Sequence, residues 1–145
     1  MISPKSSRIG AYTYTVTPLT AIPGRRAFVR LAKAVGPALG AAAGVKEGDD
    51  AGMFAAFAGL VAHLSEDDVD YFCDLFAANT TVKMGDKEPS LADIFDVHFA
   101  GRYLDMFRWL AFSVATNFGD FFAGLRAKAQ AQAVAEAPMT PTPSA

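Results

Sequence analysis

Arg102-Tyr103-Leu104-Asp105-Met106-Phe107-Arg108-Trp109-Leu110-Ala111-Phe112-Ser113-Val114 opens the stretch that decides the fold, and its pattern continues to Leu125. Leu104, Phe107, Ala111, Val114, Phe118, Phe121, Phe122 and Leu125 recur mostly in alternating steps of three and four. That spacing keeps them on one face of a helix. At ~1.5 Å per residue the helix is about 35 Å long, enough to cross a small domain as its spine. Trp109 and Phe112 lie roughly opposite this stripe, beside Asp105, Thr116 and Asp120. Two readings fit. Either the helix is covered on both sides and both aromatics are core, or they form an exposed apolar patch of the kind that binds proteins. On the second reading Met106, Trp109 and Phe112 are the candidate partner-binding residues.

Working upstream, three further helices are expected. Phe28, Leu31, Ala32 and Val35 stripe a helix over 25–35, which Gly36-Pro37 ends or kinks. Met53, Phe54, Phe57, Leu60, Val61 and Leu64 stripe a second, with Asp49 or Asp50 as its N-cap. Ser65-Glu66-Asp67-Asp68 then reads as a cap and an acidic first turn, favourable at the positive end of the helix dipole. Val69, Phe72, Cys73 and Phe76 form the buried face of this third helix. Two runs read as strands: Tyr12-Thr13-Tyr14-Thr15-Val16-Thr17, with its period of two, and Asn79-Thr80-Thr81-Val82-Lys83-Met84. The expected fold is mainly α, a compact multi-helix domain with a long C-terminal spine and at most a small two-stranded β-ribbon. Residues 1–11 read as a flexible N-terminus and 12–125 as a single helical domain. Residues 126–145 read as an alanine/glutamine-rich, then proline/threonine-rich tail that is largely disordered, although its alanines favour helix.

Composition narrows the function. A chain of 145 residues, 52% hydrophobic and 19% charged, can bury a core without disulfides or metal. Phe supplies 12 residues against four Tyr and one Trp, a composition suited to packing more than to chemistry. With 13 Lys and Arg against 15 Asp and Glu, no overall field draws the chain to nucleic acid or anionic lipid. The single cysteine, Cys73, suits a reducing compartment. No secretory leader and no membrane span are expected, since the first eight residues lack an apolar core and 34–45 is too short.

The catalytic templates find little. Gly36, Gly40 and Gly44 are not followed by the Lys-Ser/Thr of a phosphate loop. One cysteine and two histidines cannot build a structural zinc site. Asp93, Asp96 and His98, with Asp105 downstream, are the best metal constellation, against the plainer reading of exposed helix-start carboxylates and a hydrogen-bonded histidine. His63 lies just off an apolar stripe, and Cys73 falls within one, as a buried inert thiol would. Arg25, Arg26, Arg30 and Lys33 make a basic edge that could meet phosphates or an acidic partner, or is simply a solvated face. No catalytic residue, metal ligand or cofactor site is assigned.

Three stretches carry a resemblance. Leu19-Thr20-Ala21-Ile22-Pro23-Gly24-Arg25-Arg26-Ala27 leads into Gly36-Pro37-Ala38-Leu39. Leu64-Ser65-Glu66-Asp67-Asp68-Val69 runs on to Asn79-Thr80-Thr81-Val82. His98-Phe99-Ala100-Gly101-Arg102-Tyr103-Leu104 ends in Asn117-Phe118-Gly119-Asp120-Phe121-Phe122. Their order and spacing over about residues 12 to 125 resemble the small helical tail assembly chaperones of tailed bacteriophages and prophages. The resemblance implies a non-enzymatic protein of the host bacterial cytoplasm. It would bind the tape-measure protein, keep its apolar helices in solution and help recruit tail-tube subunits. Such families often make a second, longer product by frameshifting, for which the segment after Arg126 is the place to look. A structural adaptor of the tail or neck, and a small metal-dependent enzyme on Asp93, Asp96 and His98, are the alternatives. Self-association is not legible in the sequence.

Overall fold

The computed structural model describes residues 3–36, 59 and 61–136, with side chains as far as Asp120. Its elements run β1 (Lys5–Ile9), β2 (Tyr12–Val16), α1 (Ala21–Val35), α2 (Glu66–Ala77), β3 (Thr80–Lys83), α3 (Leu91–His98) and α4 (Tyr103–Glu136). The three strands form one antiparallel sheet in the order β1-β2-β3. The fold is therefore mixed α/β, which corrects the mainly α expectation. The two runs read as strands do pair, Tyr14 opposite Val82 and Val16 opposite Thr80. The unexpected strand is β1, in the segment read as a flexible N-terminus.

β1 escaped the sequence reading because Lys-Ser-Ser-Arg-Ile carries a single buried apolar side chain, Ile9. Its register comes from the turn instead. Ile9 pairs with Tyr12, leaving Gly10-Ala11 as a two-residue loop. Gly10 has φ +60° and no other turn residue has positive φ, the sign pattern of a type II′ hairpin with glycine first. A Cβ at Gly10 would also lie 2.6 Å from Asp105 Oδ2, so glycine is required there twice over. Ser6 Oγ and Thr15 Oγ1, 2.8 Å apart, add a cross-strand hydrogen bond. Lys5 and Arg8 leave this edge charged, which discourages further strand pairing.

Pleating sorts the sheet's two faces. Tyr14, Val16, Thr80 and Val82 point inward and are buried. The opposite face is polar, with Arg8, Thr13 and Lys83 across one row and Ser6, Thr15 and Thr81 across the next. α2, α3 and α4 all contact the sheet, and α2 also meets α3 and α4. The core joins the inward strand residues to Phe72, Phe76, Leu91, Phe99, Trp109 and Leu110.

Local chemistry explains the helices. Ser65 Oγ accepts from the Asp68 backbone N–H at 3.1 Å, and Asp68 Oδ2 accepts from the Ser65 N–H at 3.2 Å, a reciprocal cap at the start of α2. Phe72, Cys73 and Phe76 are buried on the expected face, with Val69 partly buried. α1 tolerates Pro23 because it stands in the first turn, where its missing N–H costs no bond. This helix buries Ala27, Leu31 and Val35, while Phe28 is half-buried with its ring edge-on to Phe118. Of the expected second helix, Met53, Phe54, Phe57 and Leu60 lie outside the described residues. Val61 and Leu64 are partly buried against the core. Helical backbone continues to Glu136 through the alanine/glutamine run, whose alanines favour helix. Residues 137–145 lie outside the described residues.

Two substitutions test this account in urea-unfolding experiments. Ser65→Ala should cost about 1 kcal/mol, the usual value of a lost cap. Trp109→Ala should cost roughly 3–5 kcal/mol through the cavity it opens. A near-neutral Trp109→Ala would show that the indole is not a core anchor.

Candidate functional site

The residues chosen from sequence do not share one surface. Trp109 is fully buried, so the patch of Met106, Trp109 and Phe112 is not the exposed aromatic cluster envisaged. Met106 and Phe112 are partly buried and pack against the core. The indole N–H donates to Thr80 Oγ1 at 3.2 Å, and Thr80 Oγ1 donates to the Phe76 carbonyl at 2.7 Å. Phe95 stands edge-on to the indole at 5.7 Å, and Phe99 lies 5.8 Å away. The buried arc of α4 runs from Trp109 through Ser113 and Leu110 to Val114 and Phe118. The predicted stripe lies along one margin of that arc, and its first member, Leu104, is 52% exposed.

The metal constellation is also taken apart by the fold. Asp93 and Asp96 point outward from α3, whereas His98 turns into the core. Among the described residues, no group of three His, Cys, Asp or Glu side chains could hold a metal ion. His98 instead meets β2, with its Nε2 2.7 Å from the Tyr14 hydroxyl. Burial pushes the Tyr14 phenol up to about 12, and burial, aided by Arg102, holds the imidazole below its usual range. Both groups are thus neutral, and a single hydrogen bond joins them, its direction set by the imidazole tautomer. Arg102 donates to the His98 carbonyl and lies over the Tyr12 ring at 4.9 Å. This cluster ties the β-hairpin to the α3–α4 junction.

Cys73 is a buried thiol pushed up to about 12, first by burial and then by Asp70 and Asp74. A thiol so placed is a poor nucleophile. His63 is exposed in a turn. On the basic edge of α1, Arg30 donates to Asp68 at 2.8 Å and stacks over Tyr71 at 4.2 Å. That pairing, with the Ser65 cap, holds the Asp68 carboxyl below its usual range.

What remains is the surface of the described residues. α2 and α3 flank an open groove of about 550 Å³, lined by Asp74, Ala77, Asp93, Phe95, Asp96 and Val97 among others. Val97 is 85% exposed and Tyr103, just beyond the α3–α4 turn, 66%. The sequence reading passed over Val97. Its signal was present, since Leu91, Ile94, Phe95 and His98 mark the inner face of α3 and leave 93, 96 and 97 outside. No helix among the described residues is long and apolar enough to cross a membrane.

Residues 10–131 match the family model described as phage tail assembly chaperone protein, TAC. The chain belongs to this family. No curated protein and no solved structure matches it. In this tail assembly chaperone the matched span opens at the Gly10 turn, so strand β1 lies just outside it, while the Tyr14–His98 tie and the Trp109 anchor both lie within.

The buried histidine gives the chaperone a definite pH response. An imidazole held below 6.5 in the fold takes up its proton more readily in the unfolded chain. Its contribution is intact above that value and declines as the pH falls below it. Urea midpoints measured on either side of pH 6.5 should show the loss, and a His98→Gln chain should show a shallower dependence. An equal slope in both chains would place the effect elsewhere.

Proposed function

We propose that the chain acts, without catalysis, as a phage tail assembly chaperone that binds the tape-measure protein in the host bacterial cytoplasm and assists tail-tube polymerisation. The observation that carries this reading is the family match over residues 10–131. The chemistry of the surface supports it. His98 and Cys73 are buried in neutral form, and Asp93 and Asp96 diverge from the histidine they would need as a co-ligand. The exposed apolar side chains Val97, Tyr103 and Leu104 are contacts that an amphipathic helix could cover. In this reading α4 is the spine that holds the sheet and the smaller helices in one body, and Met106 and Phe112 are the remaining partner-contact candidates from the original three.

Co-expression with the tape-measure protein of the same phage tests the proposal. The expected result is a complex that co-purifies and a larger fraction of the tape-measure protein in solution. Neither effect appearing would overturn the reading. A structural adaptor would in addition be present in purified virions, where an assembly chaperone should be missing.

A further inference from the structure

α1 turns a second pattern outward, separate from the stripe it buries. Ile22 and Val29 stand seven residues apart, with 59% and 44% of their surfaces exposed. Arg26 and Lys33, also seven apart, stand beside them. Positions 22, 26, 29 and 33 thus step by four, three and four along one face, with Arg25 at its margin, and all five are exposed. On a 3.6-residue helix this seam lies directly opposite Ala27, Leu31 and Val35, which are buried against the core. Apolar residues seven apart, with cations at a fixed offset, are the spacing of one strand of a coiled coil.

The charges on this seam are uncommitted. Arg30 at its edge is engaged by Asp68, but Arg25, Arg26 and Lys33 have no hydrogen-bond or ion-pair partner among the described residues. With Val29 and Arg30 they line an open depression of about 390 Å³. α1 holds no acidic residue, so whatever covers it meets positive charge along its whole length. No aromatic side chain lies on the seam, which leaves stacked bases without a platform. The larger apolar stripe of the helix is held in the core and cannot enter a lipid surface. Nor does a second copy present the complement among the described residues. The outer face of α2 is acidic but exposes no large aliphatic, and α3, with Val97 beside Asp93 and Asp96, is only eight residues long. Leu104 of α4 stands one turn from Arg108, a cation.

We infer that the outer seam of α1 docks an acidic amphipathic helix of a partner protein, one with aliphatic residues seven apart and Asp or Glu flanking them. The aliphatics cover Ile22 and Val29, and the carboxylates meet Arg25, Arg26 and Lys33, which sets the register of one helix on the other. The same pairing occurs once within the chain, where Arg30 of α1 meets Asp68 of α2 at 2.8 Å. Any protein with such a helix serves, whether or not it is the tape-measure protein. A failed co-expression therefore leaves this surface standing, and the converse also holds.

The probe is a labelled synthetic peptide of three heptads, with leucine at the aligned apolar positions and glutamate beside them. Its fluorescence anisotropy reads the docking as the full chain is titrated in. Saturable binding should appear at low salt and weaken at high salt, as screening acts on exposed pairs. The same peptide with lysine for each glutamate should not bind. Arg26→Glu/Lys33→Glu and Ile22→Ser/Val29→Ser chains should each weaken binding by roughly tenfold or more. A Lys83→Glu/Lys87→Glu chain, with the same change of net charge at exposed positions elsewhere, should bind as the wild type does. No saturable binding, an equal loss in both charge reversals, or no loss when the two aliphatics are removed overturns the inference. So does an oligonucleotide, a phosphatidylglycerol vesicle or a second copy that takes the seam in the peptide's place, read as binding or added mass that Arg26→Glu/Lys33→Glu abolishes. Circular dichroism verifies that each variant folds. Should the reversal fail to, Arg26→Gln/Lys33→Gln makes the same comparison.

Discussion

Burying the indole of Trp109 is the constraint from which the rest of the arrangement follows. An indole N–H taken out of water needs an acceptor, and the structure supplies one in Thr80 Oγ1, which in turn donates to the Phe76 carbonyl. One short chain of bonds therefore joins α4, β3 and the end of α2. The same helix then continues the ties along its length. Ser113 Oγ donates to the Trp109 carbonyl, Asn117 donates to the Ser113 carbonyl, and Asn117 Oδ1 accepts from the Leu19 backbone N–H at 2.7 Å. This sequence of contacts sets the rotation of α4 about its own axis. That rotation decides that Leu110 is buried and Leu104 is left in solvent.

The hairpin is held at a second point by a neutral pair. The Tyr14 phenol and the His98 imidazole are removed from water together, and each satisfies the other at 2.7 Å. Their charged neighbours stay near the rim: Arg102 lies over Tyr12, and Asp105 sits close against the Gly10 backbone. The histidine that sequence spacing linked to Asp93 and Asp96 is thus committed to packing. Eighty-four residues separate it from its actual partner, a distance at which periodicity carries no information.

With the inner faces settled, the outer ones acquire meaning. A net charge of −2 suggests a bland surface, yet the fold places cations on the outer face of α1 and carboxylates about the α2–α3 groove. The basic edge was legible from Arg25, Arg26, Arg30 and Lys33 alone. The groove was not, because Asp74 comes from α2 and Asp93 and Asp96 from α3, and only the packing of the two helices makes them neighbours. The same limit applied to Trp109. Its position off the main stripe was visible, but whether something covered it depended on a sheet whose first strand is almost entirely polar.

The sequence by itself determined the local features: the Ser65 cap, the buried face of α2, the pairing-prone runs at 12–17 and 79–84, and the family, through motifs spread over most of the chain. Each is written in residues close together, where helix and strand periods act directly. Tertiary structure alone decided that β1 joins the sheet, that His98 binds Tyr14, and that Trp109 is a core anchor and no contact surface. Those outcomes depend on which buried polar group finds a partner, and the partners come from elements far apart along the chain.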